Sequence, residues 1–216
     1  MNPNPKAQRT DSQKAENDEI LRKILCAIGD VPRTVYSPSD DTFLILDALA
    51  KTPIEGKKVL DVGTGSGILG LFCAARGAHV TATDVNELCL QTVLNAARAL
   101  GLSIRAILSD LFPNVREQFN VIIFNPPYLP SSTIEDRNVD GGPDGTALSK
   151  RFLRSLADHL ERDGTALLLV TSLNDSASLF STVISDFQYE VTAKRSLFFE
   201  ELQVLSVRFR DDLAHQ

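Results

Sequence analysis

Four consecutive apolar residues, Val121-Ile122-Ile123-Phe124, run straight into Asn125-Pro126-Pro127-Tyr128, and few architectures can hold such a segment. A strand with no polar position has no face for solvent, so it belongs at the centre of a sheet covered by helices on both sides. Two successive prolines remove two backbone donors and fix φ, so the strand stops at Asn125 and continues as a stiff loop. The remainder of the chain fits this frame. Short apolar runs at 58–62, 79–83, 104–108 and 165–170 alternate with helical patterns at 68–76, 86–100, 146–160 and 175–187. Strands separated by helices imply βα units and a parallel sheet with helices on both faces. Two last strands, 189–197 and 203–209, have no helix between them and read as an antiparallel hairpin at the edge. The fold class is α/β, with seven strands, mostly parallel.

The region before this alternation is different. Residues 1–19 are polar, hold two prolines and lack an apolar period, so they read as a disordered tail. Ile20, Leu21, Ile24, Leu25 and Ile28 recur at helical spacing, and Gly29 ends that run. Ser37 is placed to cap a second helix with Pro38 in its first turn, running to about residue 51. The organisation expected is a tail at 1–19, N-terminal helices at 20–52, and one α/β domain at 53–216.

Composition narrows the function classes. At 43% hydrophobic residues and a mean hydropathy near zero the chain is globular, and no apolar run reaches the roughly 18 residues of a membrane span. The N-terminus carries Asp18 and Glu19 and is no secretory signal. Cys26, Cys73 and Cys89 show neither CxxC spacing nor an even count, so no metal site is expected and a reducing cytoplasm is. A net charge of −6 and a pI near 5.1, with basic residues only in scattered pairs, disfavour stable nucleic-acid binding and favour a protein or small-molecule substrate.

The first strand ends in Asp61-Val62-Gly63-Thr64-Gly65-Ser66-Gly67, at the start of a helix. Glycines there let a ligand approach the backbone, and the helix N-terminus offers free N–H groups. A dinucleotide fingerprint G-x-G-x-x-G needs glycine where Ile68 stands, which counts against NAD. Asp84 ends the second strand about 20 residues on, where a carboxylate accepts both hydroxyls of a ribose; its alternative is a surface turn. Asp110, after the third strand, either accepts from an adenine amino group or caps a helix before Leu111-Phe112.

Asn125 stands at the carboxyl end of the fourth strand, level with the glycine turn. An amide NH2 is a poor nucleophile because its lone pair is conjugated. The Asn125 side-chain oxygen and the rigid Pro126 carbonyl can accept its two hydrogens and aim the lone pair at a methyl group, while Tyr128 offers an aromatic face to a flat substrate. Such a transfer needs no acid or base; positioning carries it. The chemistry expected is methylation of a planar nitrogen. A proline-rich turn after a buried strand is the bland alternative.

On these residues the chain resembles the class I, Rossmann-like methyltransferases, and more narrowly the HemK/PrmC-type glutamine N5-methyltransferases of translation release factors, in their short archaeal and eukaryotic HemK2 (Mtq2) branch. The resemblance runs from about Val35 to Phe209. It rests on Val35-Tyr36-x-Pro38-x-x-Asp41-Thr42-Phe43-Leu44, the glycine turn, Asn125-Pro126-Pro127-Tyr128, and Gly141-Gly142-x-x-Gly145. It implies S-adenosylmethionine as cofactor, with Gly63, Gly65 and Gly67 at its amino-acid end and Thr42 and Asp61 close by. It further implies Asp84 at the ribose, Asp110 and Leu111 at the adenine, and Asn125 touching both cofactor and substrate. Asn125, Pro126 and Tyr128 would be catalytic, and Asn125, Pro126, Pro127 and Tyr128 would bind the substrate, the glutamine of a class I release factor's Gly-Gly-Gln motif. A small activator protein like Trm112 would cover the edge strand at 104–108. The alternatives are an adenine-N6 or other nucleic-acid amino methyltransferase, and a non-catalytic subunit that keeps the fold. The polar loop 129–145 is expected to order on substrate binding.

Overall fold

A computed structural model describes residues 5–130, 141–174, 179 and 186–210. Twelve elements follow in chain order: α1 (Pro5–Ile28), α2 (Asp40–Leu49), β1 (Lys58–Val62), α3 (Ile68–Ala75), β2 (His79–Asp84), α4 (Glu87–Ala99), β3 (Ile104–Leu108), β4 (Phe119–Phe124), α5 (Ala147–His159), β5 (Leu160–Thr171), β6 (Phe187–Ser196) and β7 (Glu201–Phe209). The seven strands form one sheet in the order β3-β2-β1-β4-β5-β7-β6. β1 to β5 are parallel; β7 runs antiparallel between β5 and β6. The expected hairpin is therefore present, with its second strand inside and its first at the edge.

The period-2 pattern of the strands sorts the core into two layers. Val59, Val121, Ile123, Leu167, Leu169 and Val204 point to one face and pack with Leu71 and Phe72 of α3, Val93 of α4 and Ile45 and Leu49 of α2. Leu60, Val62, Ile122, Phe124, Leu168 and Val207 point to the other, against Phe152, Leu153 and Leu156 of α5. All four residues 121–124 are almost wholly buried, as an all-apolar central strand must be. β1 lies between β2 and β4, so the connections leaving β1 and β4 diverge, and a cleft opens at their carboxyl ends.

Three expectations change. The tail at 1–19 is helical from Pro5 onward: α1 has no proline or glycine after its first residue and is rich in Ala, Gln, Lys and Glu, so propensity carries it where apolar periodicity is missing. Its C-terminal half packs across α3 and α4 through Ile24, and Gly29, at φ +61, ends it with its N–H on the Leu25 carbonyl. The second helix begins two residues later than expected, with Ser39 at the N-cap and no side-chain cap; Tyr36 to Ser39 stays outside the helix, and the Tyr36 hydroxyl reaches back to Asp41. Phe187 opens β6 instead of closing a helix; residues 175–178 and 180–185 of that expected helix, and the middle of the loop at 131–140, lie outside the described residues. Among the described residues no helix is long and apolar enough to cross a membrane.

Candidate active site

The carboxyl ends of β1, β2 and β4 open into a cavity of about 920 Å³. Its floor is the glycine turn between β1 and α3. Asp61 is fully buried behind that turn, where its Oδ2 accepts from the Thr64 hydroxyl at 2.7 Å and from the Gly70 N–H at 3.0 Å. Burial pushes its pKa up to about 6 against the pull of those two donors. Because its folded pKa lies above the ordinary carboxylate value, the folded state holds the extra proton between about pH 4 and 6. The contribution of Asp61 to stability is then full below that window and is lost as pH rises through 6. The stability difference between the wild-type protein and Asp61→Asn is expected to shift by about 2–3 kcal/mol between pH 4 and pH 7, which urea unfolding at the two pH values measures.

Gly67 begins α3 at φ +84, and a Cβ there would sit 2.5 Å from the Val93 side chain. Only glycine lets α3 and α4 meet at this point. Asp61 and Gly67 thus support the turn from behind and do not line the cavity, in contrast to Gly63 and Gly65, which do.

Asp84 closes the next side. Its Oδ2 accepts the Gly65 N–H at 3.0 Å and its Oδ1 the Asn86 N–H at 2.9 Å. These bonds tie the second strand to the glycine turn and fix the carboxylate plane, and each oxygen keeps a lone pair for a ligand hydroxyl. The side chain is buried and faces the cavity, so the surface-turn alternative falls. Asp110 and Leu111 line the wall beyond it. No helix follows Asp110, so it caps none; its Oδ2 instead pairs with Arg151 of α5 at 2.8 Å. Leu111 is the one non-glycine residue at positive φ among the described residues, +62. A leucine held in that region costs about 1 kcal/mol or more. The turn it makes presents Ser109, Asp110 and Leu111 to the cavity.

The opposite wall is the loop after β4, with Asn125, Pro126, Pro127 and Tyr128 in sequence. The Asn125 side-chain oxygen is buried without a hydrogen-bond partner. An amide oxygen left so forfeits a bond worth about 1 kcal/mol or more, and such a group in a cavity wall is an acceptor set for a ligand. Two glycines brace the far end of the loop. Gly141 donates its N–H to the Leu129 carbonyl at 2.9 Å, and a Cβ on Gly145, at φ +67, would lie 2.3 Å from the Tyr128 carbonyl. Gly145→Ala is therefore expected to displace Tyr128, lowering turnover at least tenfold and destabilising the fold by about 1–3 kcal/mol. Steady-state rates and thermal unfolding test it; wild-type turnover would show that the loop needs no such brace.

The roof is a group to which no role was assigned on sequence grounds. Asp41, buried in the first turn of α2, accepts from the Tyr36 hydroxyl at 2.6 Å, and the Tyr128 hydroxyl lies 3.5 Å from the same oxygen. Asp41 also accepts the backbone N–H of Thr42, which itself lines the cavity. Burial, with the Asp41 carboxylate second, pushes both phenols far above their ordinary pKa, so both stay donors. One carboxylate thereby joins α2 to the Asn125 loop across the cavity mouth. Among the described residues no three His, Cys, Asp or Glu side chains cluster as metal ligands would.

A parallel sheet with a glycine turn after β1, an acid ending β2 and an Asn-Pro-Pro-Tyr loop after β4 defines a Rossmann-like class I methyltransferase. Residues 39–198 match the methyltransferase small domain, and the chain belongs to that family, in its HemK/PrmC-type group with the HemK2/Mtq2 branch. It is 34% identical over 182 residues to a protein of Methanocaldococcus jannaschii provisionally named protein N5-glutamine methyltransferase, a match covering 80% of this chain and 90% of the relative. With the methyltransferase HEMK2 of Mus musculus the identity is 30%, over 70% of this chain and 78% of the relative. A solved Mtq2–Trm112 complex of E. cuniculi, described as responsible for methylating the termination factor eRF1, has the same fold. The TM-score is 0.68 at 24% identity, over 82% of this chain and 99% of that one.

Proposed function

We propose that the protein uses S-adenosylmethionine to methylate the side-chain nitrogen of the glutamine in the Gly-Gly-Gln motif of a class I translation release factor. The unpartnered Asn125 oxygen in the cavity wall is the observation that carries this reading. The residues present fit the cofactor: Asp84 keeps one lone pair per oxygen for the two ribose hydroxyls, Asp110 and Leu111 flank the place of the adenine, and Thr42, Gly63 and Gly65 border the amino-acid end. Asp61 and Gly67 shape the turn from behind. When bound, the cofactor supplies an electrophilic methyl on a sulfonium that leaves as a neutral thioether.

The chain's own residues do the rest. The Asn125 oxygen and the Pro126 carbonyl accept the two amide hydrogens, which turns the nitrogen lone pair toward the methyl. Pro127 keeps the loop stiff, and the ring of Tyr128 lies along the flat amide. The nitrogen loses one proton to solvent as the C–N bond forms. Charge supports a protein substrate, since a chain at −6 repels phosphates. Of the cover expected at 20–52, the stretch from Arg33 to Thr42 borders the cavity and is proposed to close over the cofactor on the domain at 53–216, whereas α1 packs across α3 and α4. A Trm112-like partner is proposed at the free edge of β3, where Leu108 is 44% exposed. The proposed setting is the cytoplasm, where release factors work.

The test is transfer of label from methyl-labelled cofactor to a purified release factor, with and without a Trm112-like protein. Label is expected on the glutamine and not on a Gln→Ala factor. No label on the wild-type factor with the activator present overturns the proposal, and label on RNA or DNA instead supports the nucleic-acid alternative.

A further inference from the structure

The turn between β6 and β7 carries two phenylalanines that the core does not use. Phe198 is 92% exposed and Phe199 85%, and their rings meet edge to face with centroids 4.6 Å apart. No other large apolar side chain among the described residues exceeds 54%. Two adjacent rings left in water at the end of an ordered hairpin mark a surface that something covers.

Topology puts this pair on the rim of the active site. β7 runs against β5, with Leu202 beside Thr171 and Glu201 beside Ser196. Residues 197–200 therefore lie at the carboxyl ends of the parallel strands, the same rim as Asn125, two strands beyond β4. The turn is firmly held. Leu197 donates its N–H to the Glu200 carbonyl at 2.8 Å, and Ser172 and Glu201 exchange bonds of 2.8 and 2.9 Å. The Thr171 hydroxyl donates to Glu200 Oε2. Arg195 anchors the hairpin to α2 through Asp40 at 3.0 Å and Asp47 at 3.2 Å, beside the Asp41 that roofs the cavity. Glu200 is near enough to help raise the Tyr128 pKa. On the same rim Leu173, next to the bonded Ser172, and Leu129, next to Tyr128, are further exposed apolar side chains.

We propose that Phe198 and Phe199 dock the protein substrate, seating an apolar patch of the folded acceptor that flanks the methylated side chain. This rests on the methyltransferase reading above. Beside the cofactor the cavity takes only the acceptor's side-chain amide, which has no contact to make on an outer hairpin, so an acceptor that is itself a folded protein is what reaches both places. Rigid rings give contact area at little entropic cost, as anchors in protein interfaces do.

The double variant Phe198→Ser/Phe199→Ser tests it, with Phe198→Leu/Phe199→Leu as the variant that keeps apolarity. KM and kcat are measured with a purified release factor, and cofactor affinity by calorimetry. The serine variant is expected to raise KM for the factor at least tenfold, with kcat at saturation and cofactor Kd within twofold of wild type and the thermal midpoint unchanged. The leucine variant is expected in between. An unchanged KM overturns the docking role. So does a wild-type dimer, seen by sedimentation, that the serine variant dissociates, or loss of a co-purifying Trm112-like protein, since either assigns the pair another occupant. A wild-type protein that labels no factor overturns the methyltransferase reading, and the docking role with it.

Discussion

Asn125→Ala is expected to lower turnover by roughly a hundred- to a thousandfold while cofactor affinity changes less than a few-fold. The size follows from the kind of interaction lost: one preorganised polar group aimed at the reacting atom, in a site shielded from water. Asn125 ends a strand buried on both sides, and Pro126 and Pro127 follow it, so neither backbone nor loop relaxes to bring a substitute. Saturation kinetics and cofactor titration separate the outcomes. A large loss of cofactor affinity with unchanged turnover at saturation would make Asn125 a cofactor ligand and remove it from the transfer. Asn125→Asp checks the same point, because a carboxylate keeps the acceptor.

Asp84→Ala should do the reverse. Two ligand hydroxyls lose a charged acceptor, each worth about 1.5 kcal/mol or more, so cofactor Kd is expected to rise about a hundredfold or more. The same change strands the N–H groups of Gly65 and Asn86, which loosens the glycine turn, so part of the loss comes from disorder in the site. Turnover at saturating cofactor should fall only a few-fold. Asp84→Asn, with one acceptor oxygen left, should fall between. If alanine binds cofactor as tightly as wild type, the carboxylate serves only to hold the turn.

Both of these residues were legible before any fold was known, because strand ends are easy to find in this chain. Glycine after β1, the two prolines after β4 and the Asn86 cap of α4 after β2 set the ends of these strands, and parallel strands of one sheet bring their carboxyl ends together. The roof was not legible. Tyr128 and Asp41 are 87 residues apart, and no local pattern says that they meet. Where propensity and periodicity disagreed, periodicity misled: residues 5–19 are polar all round yet helical. β5 begins at Leu160, five residues before the strand expected at 165–170, because the polar Glu161-Arg162-Asp163 breaks the apolar run that marks it. The register shift between Phe119 and Val121 of β4 accommodates those extra residues. Phe198 and Phe199 fall between the two strands expected at 189–197 and 203–209, and only the hairpin's geometry shows both rings outside the core.

The insertion of β7 between β5 and β6 also governs when the sheet becomes complete. β5 has one neighbour, β4, made before it, and the other edge of its run from Ala166 to Thr171 is paired by residues 202–207 of β7, the last of the sheet's strands to be made. Until these leave the ribosome, that edge stays open, with strongly apolar side chains along it. The glycine turn, Asp84 and Asn125 are all made earlier. A nascent chain thus holds every residue of the cavity while its sheet is still unfinished, and β7 is the strand that closes it.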